Sequence, residues 1–309
     1  MEVSRPRFLF IDGKVVPYAD AKVHVLSVVV KYAAAIFEGI RAYHNEETGQ
    51  LYIFRLKEHL ERLFESAKIA RIPIDYMTEQ LKENIINLIK LNELRQDLHI
   101  RISAFIAEDD GRLDSTGPGG LSMAAMPMGR YDALAPTEGL NVAVSAWRRI
   151  SDDTMPARVK SIANYQNSRL ALLDARAAGF QDAILLDGRG KVTEGPGYNI
   201  FVVRNGQVLT PPVTSGILEG VTRDTLIRLF AAKHDITVIQ REIDRTELYV
   251  AEEVFFCGSS KEVMPIGSID NRMVGNGGMG LLAQRIKESY FEVAKGRDHA
   301  FASWLTPVY

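Results

Sequence analysis

Three observations predict an α+β fold in two domains. Stretches with apolar residues at helical spacing and stretches of alternating polarity both recur along the 309 residues. A segment with the composition of an interdomain connection, GRYDALAPTEG (129–139), interrupts them. The glycine-rich GPGYN and GNGGMG lack the strand–turn–helix context of a dinucleotide-binding loop. A smaller N-terminal α/β domain is expected over 1–129, a linker over 130–138 and a larger C-terminal domain over 139–309.

The elements follow in order. FLFIDGKVVPYADAKV places two apolar runs around Asp12-Gly13, a strong hairpin signal. KEHLERLFESAKIAR (57–71) sets Leu60, Leu63, Phe64 and Ala67 at helical spacing, and TEQLKENIINLIKLNEL (78–94) does so with Leu81, Ile85, Leu88 and Ile89. LHIRISAFIAE (98–108) and LSMAAMPMGR (121–130) suit strands, joined by the loop DGRLDSTGPGG. Beyond 139 the pattern predicts a strand (140–150), a helix (165–178) and a hairpin through AILLDGRGKVTEG and NIFVVRNGQVLTP. A helix (221–235), a strand (236–242), a short helix (244–251), a strand (253–257) and a last helix near 279–294 complete it.

Composition narrows the function. With 37 basic and 39 acidic residues the formal charge is −2, so bulk charge draws neither nucleic acid nor an anionic membrane. A single cysteine, Cys257, allows no intrachain disulfide and no thiolate cluster. The six histidines are scattered without HxxxH spacing, so no metal site is expected. No apolar run reaches about 18 residues, and a cytoplasmic location is expected.

Several stretches carry residues suited to chemistry. SGILEGVTRD sets Gly220 before Val221 and Thr222 at a helix start, where free amides can bind a phosphate or simply be capped. FCGSSKE offers Ser259 and Ser260 as donors, or an ordinary turn. Arg62 in EHLERL can pair with a phosphate or face solvent. Lys160 in ARVKSIANYQNS is a lysine with no acid nearby in sequence, followed five residues later by Tyr165. FEGIRAY brings Glu38, Gly39 and Arg41, and VTEGPGYNIF brings Glu194 between a strand and two glycines.

Taken together, AKVHVLS, KYAAAIFEGIRAY, EHLERL, VKSIANYQNS, TEGPGYNIF, LEGVTRD and the strand leading to CGSS resemble, in order, the fold-type IV (class IV) pyridoxal-phosphate aminotransferases. Among these the chain is similar to the branched-chain amino acid aminotransferases. The resemblance implies a two-domain fold like that of D-amino acid aminotransferase, with pyridoxal 5'-phosphate at the domain interface. It implies that Lys160 holds the cofactor as a Schiff base and serves as general base. Tyr165 would face the phenolic oxygen and Glu194 the pyridine nitrogen. Arg62, Val221, Thr222 and Ser259 would hold the phosphate, with Leu218 against the ring. An imine-forming lysine must be neutral part of the time, and an acid at the pyridine nitrogen keeps the ring an electron acceptor.

The resemblance also implies a substrate pocket of Tyr32, Phe37, Gly39, Arg41, His99, Arg101, Met128, Tyr131, Ser259 and Ser260. Arg101 with Tyr32 and Tyr131 is expected at the second carboxylate of 2-oxoglutarate, and Ser259, Ser260 and His99 at the α-carboxylate. The implied reaction is a ping-pong transamination from an L-branched-chain or related apolar amino acid to 2-oxoglutarate, as in branched-chain amino acid biosynthesis. Three departures from the family pattern stand out: His99 in place of a tyrosine, Ile102 in place of a proline, and Gly111-Arg112-Leu113 in place of a Gly-Val pair. Arg112 is then either an extra cation for an acidic substrate or a solvent-facing side chain. A D-amino acid or (R)-amine transaminase, an aminodeoxychorismate lyase and a non-catalytic binder are the competing readings. A homodimer is implied, with assembly beyond the dimer left open.

Overall fold

The computed structural model describes residues 5–128 and 138–309. Apart from Glu138, the expected linker at 130–138 lies outside the described residues. The described residues form two compact units. The first takes in residues 5–128, Val159–Ala163 and Glu292–Tyr309; the second takes in residues 138–158 and Asn164–Phe291.

In the first unit, β1 (Phe8–Ile11) and β2 (Lys14–Pro17) form the expected hairpin. Its turn has Asp12 at φ 47° and Gly13 at φ 81°, the left-handed pair that a tight two-residue turn needs. Then come α1 (Val28–Tyr32), β3 (Ala35–His44), β4 (Leu51–Phe54), α2 (Leu56–Ala70), α3 (Thr78–Leu91), β5 (Leu98–Ile106) and β6 (Gly119–Pro127). The periodicity read from α2 and α3 is the burial pattern: Leu60, Leu63 and Ala67 on one helix and Leu81, Ile85, Leu88 and Ile89 on the other enter one core. Each of these leucines and isoleucines, fully buried, stabilises by about 1.5–3 kcal/mol. α2 stops at Arg71, whose φ of 54° turns the chain left-handed.

The second unit contains β7 (Leu140–Arg148), α4 (Asn164–Ala177), β8 (Asp182–Leu186), β9 (Asn199–Arg204), β10 (Gln207–Thr210) and α5 (Val221–His234). It continues with β11 (Ile239–Gln240), β12 (Glu253–Gly258), β13 (Glu262–Ile269) and β14 (Arg272–Met273), and ends within α6 (Leu281–Ala294), whose last residues, from Glu292, are counted with the first unit. The strands pair in the order β11-β10-β9-β12-β13-β7-β8, with β14 on β13. The expected hairpin divides: β9 and β10 turn at Asn205-Gly206, whereas β8 lies parallel to β7 and meets its returning segment through a Leu186–Val192 bridge and backbone hydrogen bonds from Leu185 to Glu194 and from Thr193 to Leu185. The strand expected over 236–242 shrinks to β11.

The last strand, β15 (Leu305–Pro307), pairs antiparallel with β4, so the first sheet runs β15-β4-β3-β5-β6-β1-β2. Val308 and Val159 both enter the first unit's core. The sequence-based division set Val159–Ala163 and Glu292–Tyr309 in the second domain. Local periodicity does not encode these distant pairings. Among the described residues no helix is long and apolar enough to cross a membrane.

Candidate active site

In the first unit the sheet has two different faces, as strand alternation requires. Ile36, Ile40 and Ala42 of β3, Ile100, Ile102 and Ala104 of β5, and Leu121, Met123 and Ala125 of β6 join the core. The alternate positions carry Phe37, Gly39 and Arg41, paired in register with Ser103, Arg101 and His99. Arg101 sets its guanidinium 3.9 Å from the centre of the Phe37 ring. A Cβ on Gly39 would come within 3.0 Å of His99 Nε2, so glycine leaves the room that the imidazole occupies. Burial pushes His99 down to about 4, and Arg41, Arg101 and Lys160 push the same way. At neutral pH His99 is therefore a neutral hydrogen-bonding group among cations.

Glu38 projects to the opposite face and is fully buried. Arg62 on α2 grips it with two bonds, Nε to Oε1 at 2.7 Å and Nη2 to Oε2 at 2.8 Å. His59 Nδ1 lies 2.7 Å from Oε2. Burial opposes the charge on Glu38, but Arg62 and then His59 hold its carboxyl far below the usual range. Burial pushes His59 down, outweighing Glu38, so the histidine is neutral and donates its Nδ1–H. Arg62 is thus a buried, paired side chain rather than a solvated one.

Lys160 is fixed by its main chain. Its N–H donates to Ser66 Oγ on α2 at 3.2 Å, and its carbonyl accepts from the Phe37 N–H at 2.9 Å. Ser161 bridges to Ile36, and the Ile162 N–H donates to the Ala35 carbonyl. Nζ then stands 4.7 Å from the centre of the Phe37 ring. Ser66 carries no motif that sequence reading could have used.

The remaining first-unit candidates separate. The Tyr32 hydroxyl and Lys31 Nζ both donate to the Gly111 carbonyl, at 3.1 and 2.8 Å, fastening the loop of 108–115. Arg112 bonds Asp114 through Nε and Nη2 and is 68% exposed, which places it in solvent on this chain. Met128 follows β6 and is half-buried, with its N–H bonded to the Asp97 carbonyl. Tyr131 lies outside the described residues.

The second unit gathers a different set. Glu194 is buried and accepts from Arg149 Nη2 at 2.7 Å, Asn199 Nδ2 at 3.0 Å and the Leu218 N–H at 3.1 Å. Each of these groups donates, which suits a carboxylate. Asn199 Nδ2 also donates to the Leu218 carbonyl at 2.9 Å. A Cβ on Gly220 would collide with Asn199 Oδ1, so glycine is required where α5 begins against this asparagine. Gly220 places no side-chain cap on the first amides of α5, Val221 and Thr222, both buried residues. Tyr165, near the start of α4, has its ring beside Gly197. Ser259 and Ser260 form the half-buried turn between β12 and β13, where Lys261 reaches Asp182 at 3.7 Å. The structure thus brings Glu194, Leu218 and the start of α5 together through Asn199. Asn199 and Arg149 were not among the sequence candidates; the only hint was the polar Asn199 opening an apolar strand.

Comparison with known proteins gives the family of the chain. The model of the family described as amino-transferase class IV matches residues 35–269. A probable branched-chain-amino-acid aminotransferase of Aquifex aeolicus is 40% identical over 98% of this chain and 97% of its own length. The crystal structure of a branched-chain aminotransferase from Thermoproteus uzoniensis with norvaline superposes at a TM-score of 0.93, with 41% identity, covering 98% of this chain and all of that one. That of a branched-chain amino acid aminotransferase from Thermobaculum terrenum in its PLP form gives 0.93 at 36% identity, covering 99% of each. The chain belongs to the class IV aminotransferases, as a homologue of the branched-chain amino acid aminotransferases.

Proposed function

We propose that this protein is a pyridoxal-phosphate-dependent transaminase. It moves the amino group of an L-branched-chain or related apolar amino acid to 2-oxoglutarate, giving a 2-oxo acid and L-glutamate in two half-reactions. The single observation that carries this reading is Lys160: a primary amine whose main chain is pinned between β3 and Ser66 of α2, beside the face that holds Arg41 and Arg101.

The residues present fit the cofactor. Lys160 offers the amine that an aldehyde requires. The uncapped amides of Val221 and Thr222 suit a phosphate, and the donor-surrounded Glu194 suits a protonated ring nitrogen. In this reading Arg62 and Ser259 also hold the phosphate, Tyr165 meets the phenolic oxygen and Leu218 packs against the ring. When bound, pyridoxal phosphate supplies an electron-accepting ring for the charge left as the substrate's α-proton departs. Lys160 Nζ holds the cofactor at rest and moves that proton from the substrate's Cα during turnover. Arg101, with Tyr32, takes the second carboxylate of 2-oxoglutarate, while His99, Ser259 and Ser260 orient the α-carboxylate. Phe37 and Met128 give the apolar side chain its walls. The homologues named with norvaline and in a PLP form support this assignment.

A homodimer in the cytoplasm completes the proposal. Val23, Val25, Leu26 and Val30 are 46–73% exposed on the isolated chain, an apolar run of the kind that a protein partner covers.

The test is a coupled glutamate-formation assay with a donor panel. L-Leucine, L-isoleucine or L-valine with 2-oxoglutarate should outpace every D-amino acid and 1-phenylethylamine. The reverse order would reject the substrate assignment.

A further inference from the structure

Arg149 lies one residue beyond β7, buried to 9% exposure, and its guanidinium spans three parts of the second unit. Nη2 meets Glu194 Oε1 at 2.7 Å. Nε donates to the Gly216 carbonyl at 3.2 Å, on the loop that leads to Leu218. Nη1 reaches Ser168 Oγ at 3.4 Å, on the helix that carries Tyr165. On the other carboxylate oxygen, Oε2, Asn199 and the Leu218 N–H complete the grip. Arg149 therefore ties the acid to the two segments that also carry Tyr165 and Leu218. A planar fork with donors on three nitrogens can do this; a lysine, with a single nitrogen on a flexible stem, cannot reach all three.

We propose that Arg149 is the positioning residue of the reaction, acting through Glu194: it fixes the carboxylate in the orientation from which it serves a protonated ring nitrogen. This rests on the reading of Glu194 as the partner of that nitrogen. An arginine that only stabilised the unit would make the same ion pair, so the decisive property is coupling. If Arg149 acts on the cofactor through Glu194, its effect must vanish when Glu194 can no longer hold a charge.

The experiment is a double-mutant cycle on purified full-length protein with Arg149→Gln, Glu194→Gln and the double variant. The readouts are the dissociation constant of pyridoxal phosphate, the pH midpoint of its visible band when bound, and Tm. Arg149→Gln should weaken binding by ~tenfold or more and move the band's midpoint, whereas the same change in the Glu194→Gln background should alter binding by less than ~twofold. Arg149→Lys should recover part of the loss. Equal losses in both backgrounds, or a lower Tm with unchanged affinity and spectrum, would overturn the proposal. Should Arg149→Gln fail to fold, the cycle is run with Arg149→Lys, which keeps a charge opposite Glu194 but loses the fork. A parent protein that takes up no pyridoxal phosphate would instead reject the underlying reading of the site.

Discussion

The two units treat buried charge as mirror images. In the first, Arg62 is the expected phosphate ligand and the buried acid Glu38 stands behind it, gripped at 2.7 and 2.8 Å. In the second, Glu194 is the expected ligand and the buried cation Arg149 stands behind it at 2.7 Å. In each case one member is assigned to the cofactor and the other makes its burial tolerable. An unpaired buried charge costs several kcal/mol, so either member looks equally necessary to the fold. Geometry alone therefore separates structural partners from ligands less well than paired substitutions do.

The largest expected effect breaks the first pair. Arg62→Met leaves Glu38 buried without its forked partner and should destabilise the protein by about 3–5 kcal/mol. Glu38→Gln together with Arg62→Met removes both charges and should restore most of that stability in thermal unfolding. If Arg62 holds the phosphate, affinity for pyridoxal phosphate should stay low in both variants. Affinity that returns along with stability would make Arg62 a purely structural residue.

A smaller effect concerns His99, on the other face of the same sheet. Its pKa is lowered to about 4 by burial, then Arg41, Arg101 and Lys160. Between about 4 and the ordinary 6.5 the unfolded chain takes up a proton that the folded one refuses, so stability falls as pH drops through that window. Glu38 acts in a lower range: its depressed carboxyl gives stability present above the ordinary carboxylate value and lost as pH falls below it. Moving from pH 7.5 to pH 5, roughly the middle of the His99 window, should therefore lower Tm more in the parent than in His99→Gln. Equal losses would show that His99 is not desolvated in the folded protein.

The sequence revealed one member of each pair better than the other. α2 and α3 were legible because their apolar residues repeat with the helix, and Lys160, Arg62, Glu194 and Thr222 could be named as candidates because they stand in motifs of fixed order. Arg149 was not: within WRRI it looks like one of two charges closing a strand, and its partners Ser168, Glu194 and Gly216 come from three other segments. Ser66 is likewise an ordinary helix serine until the segment around Lys160 folds against it. The strand β15 escaped for the same reason, since LTP gains its meaning only by pairing with β4. A local period predicts an element; a contact between distant segments has no period to read.

The central claim is that one pinned amine does the chemistry, with the two charge pairs arranged to serve the molecule it binds. The most direct test is borohydride reduction of the protein loaded with pyridoxal phosphate, followed by proteolysis and mass spectrometry. The peptide containing Lys160 should carry the reduced cofactor, and Lys160→Ala should carry none and lose turnover by ~10³-fold or more. A label on another lysine, or full turnover in Lys160→Ala, would contradict the account.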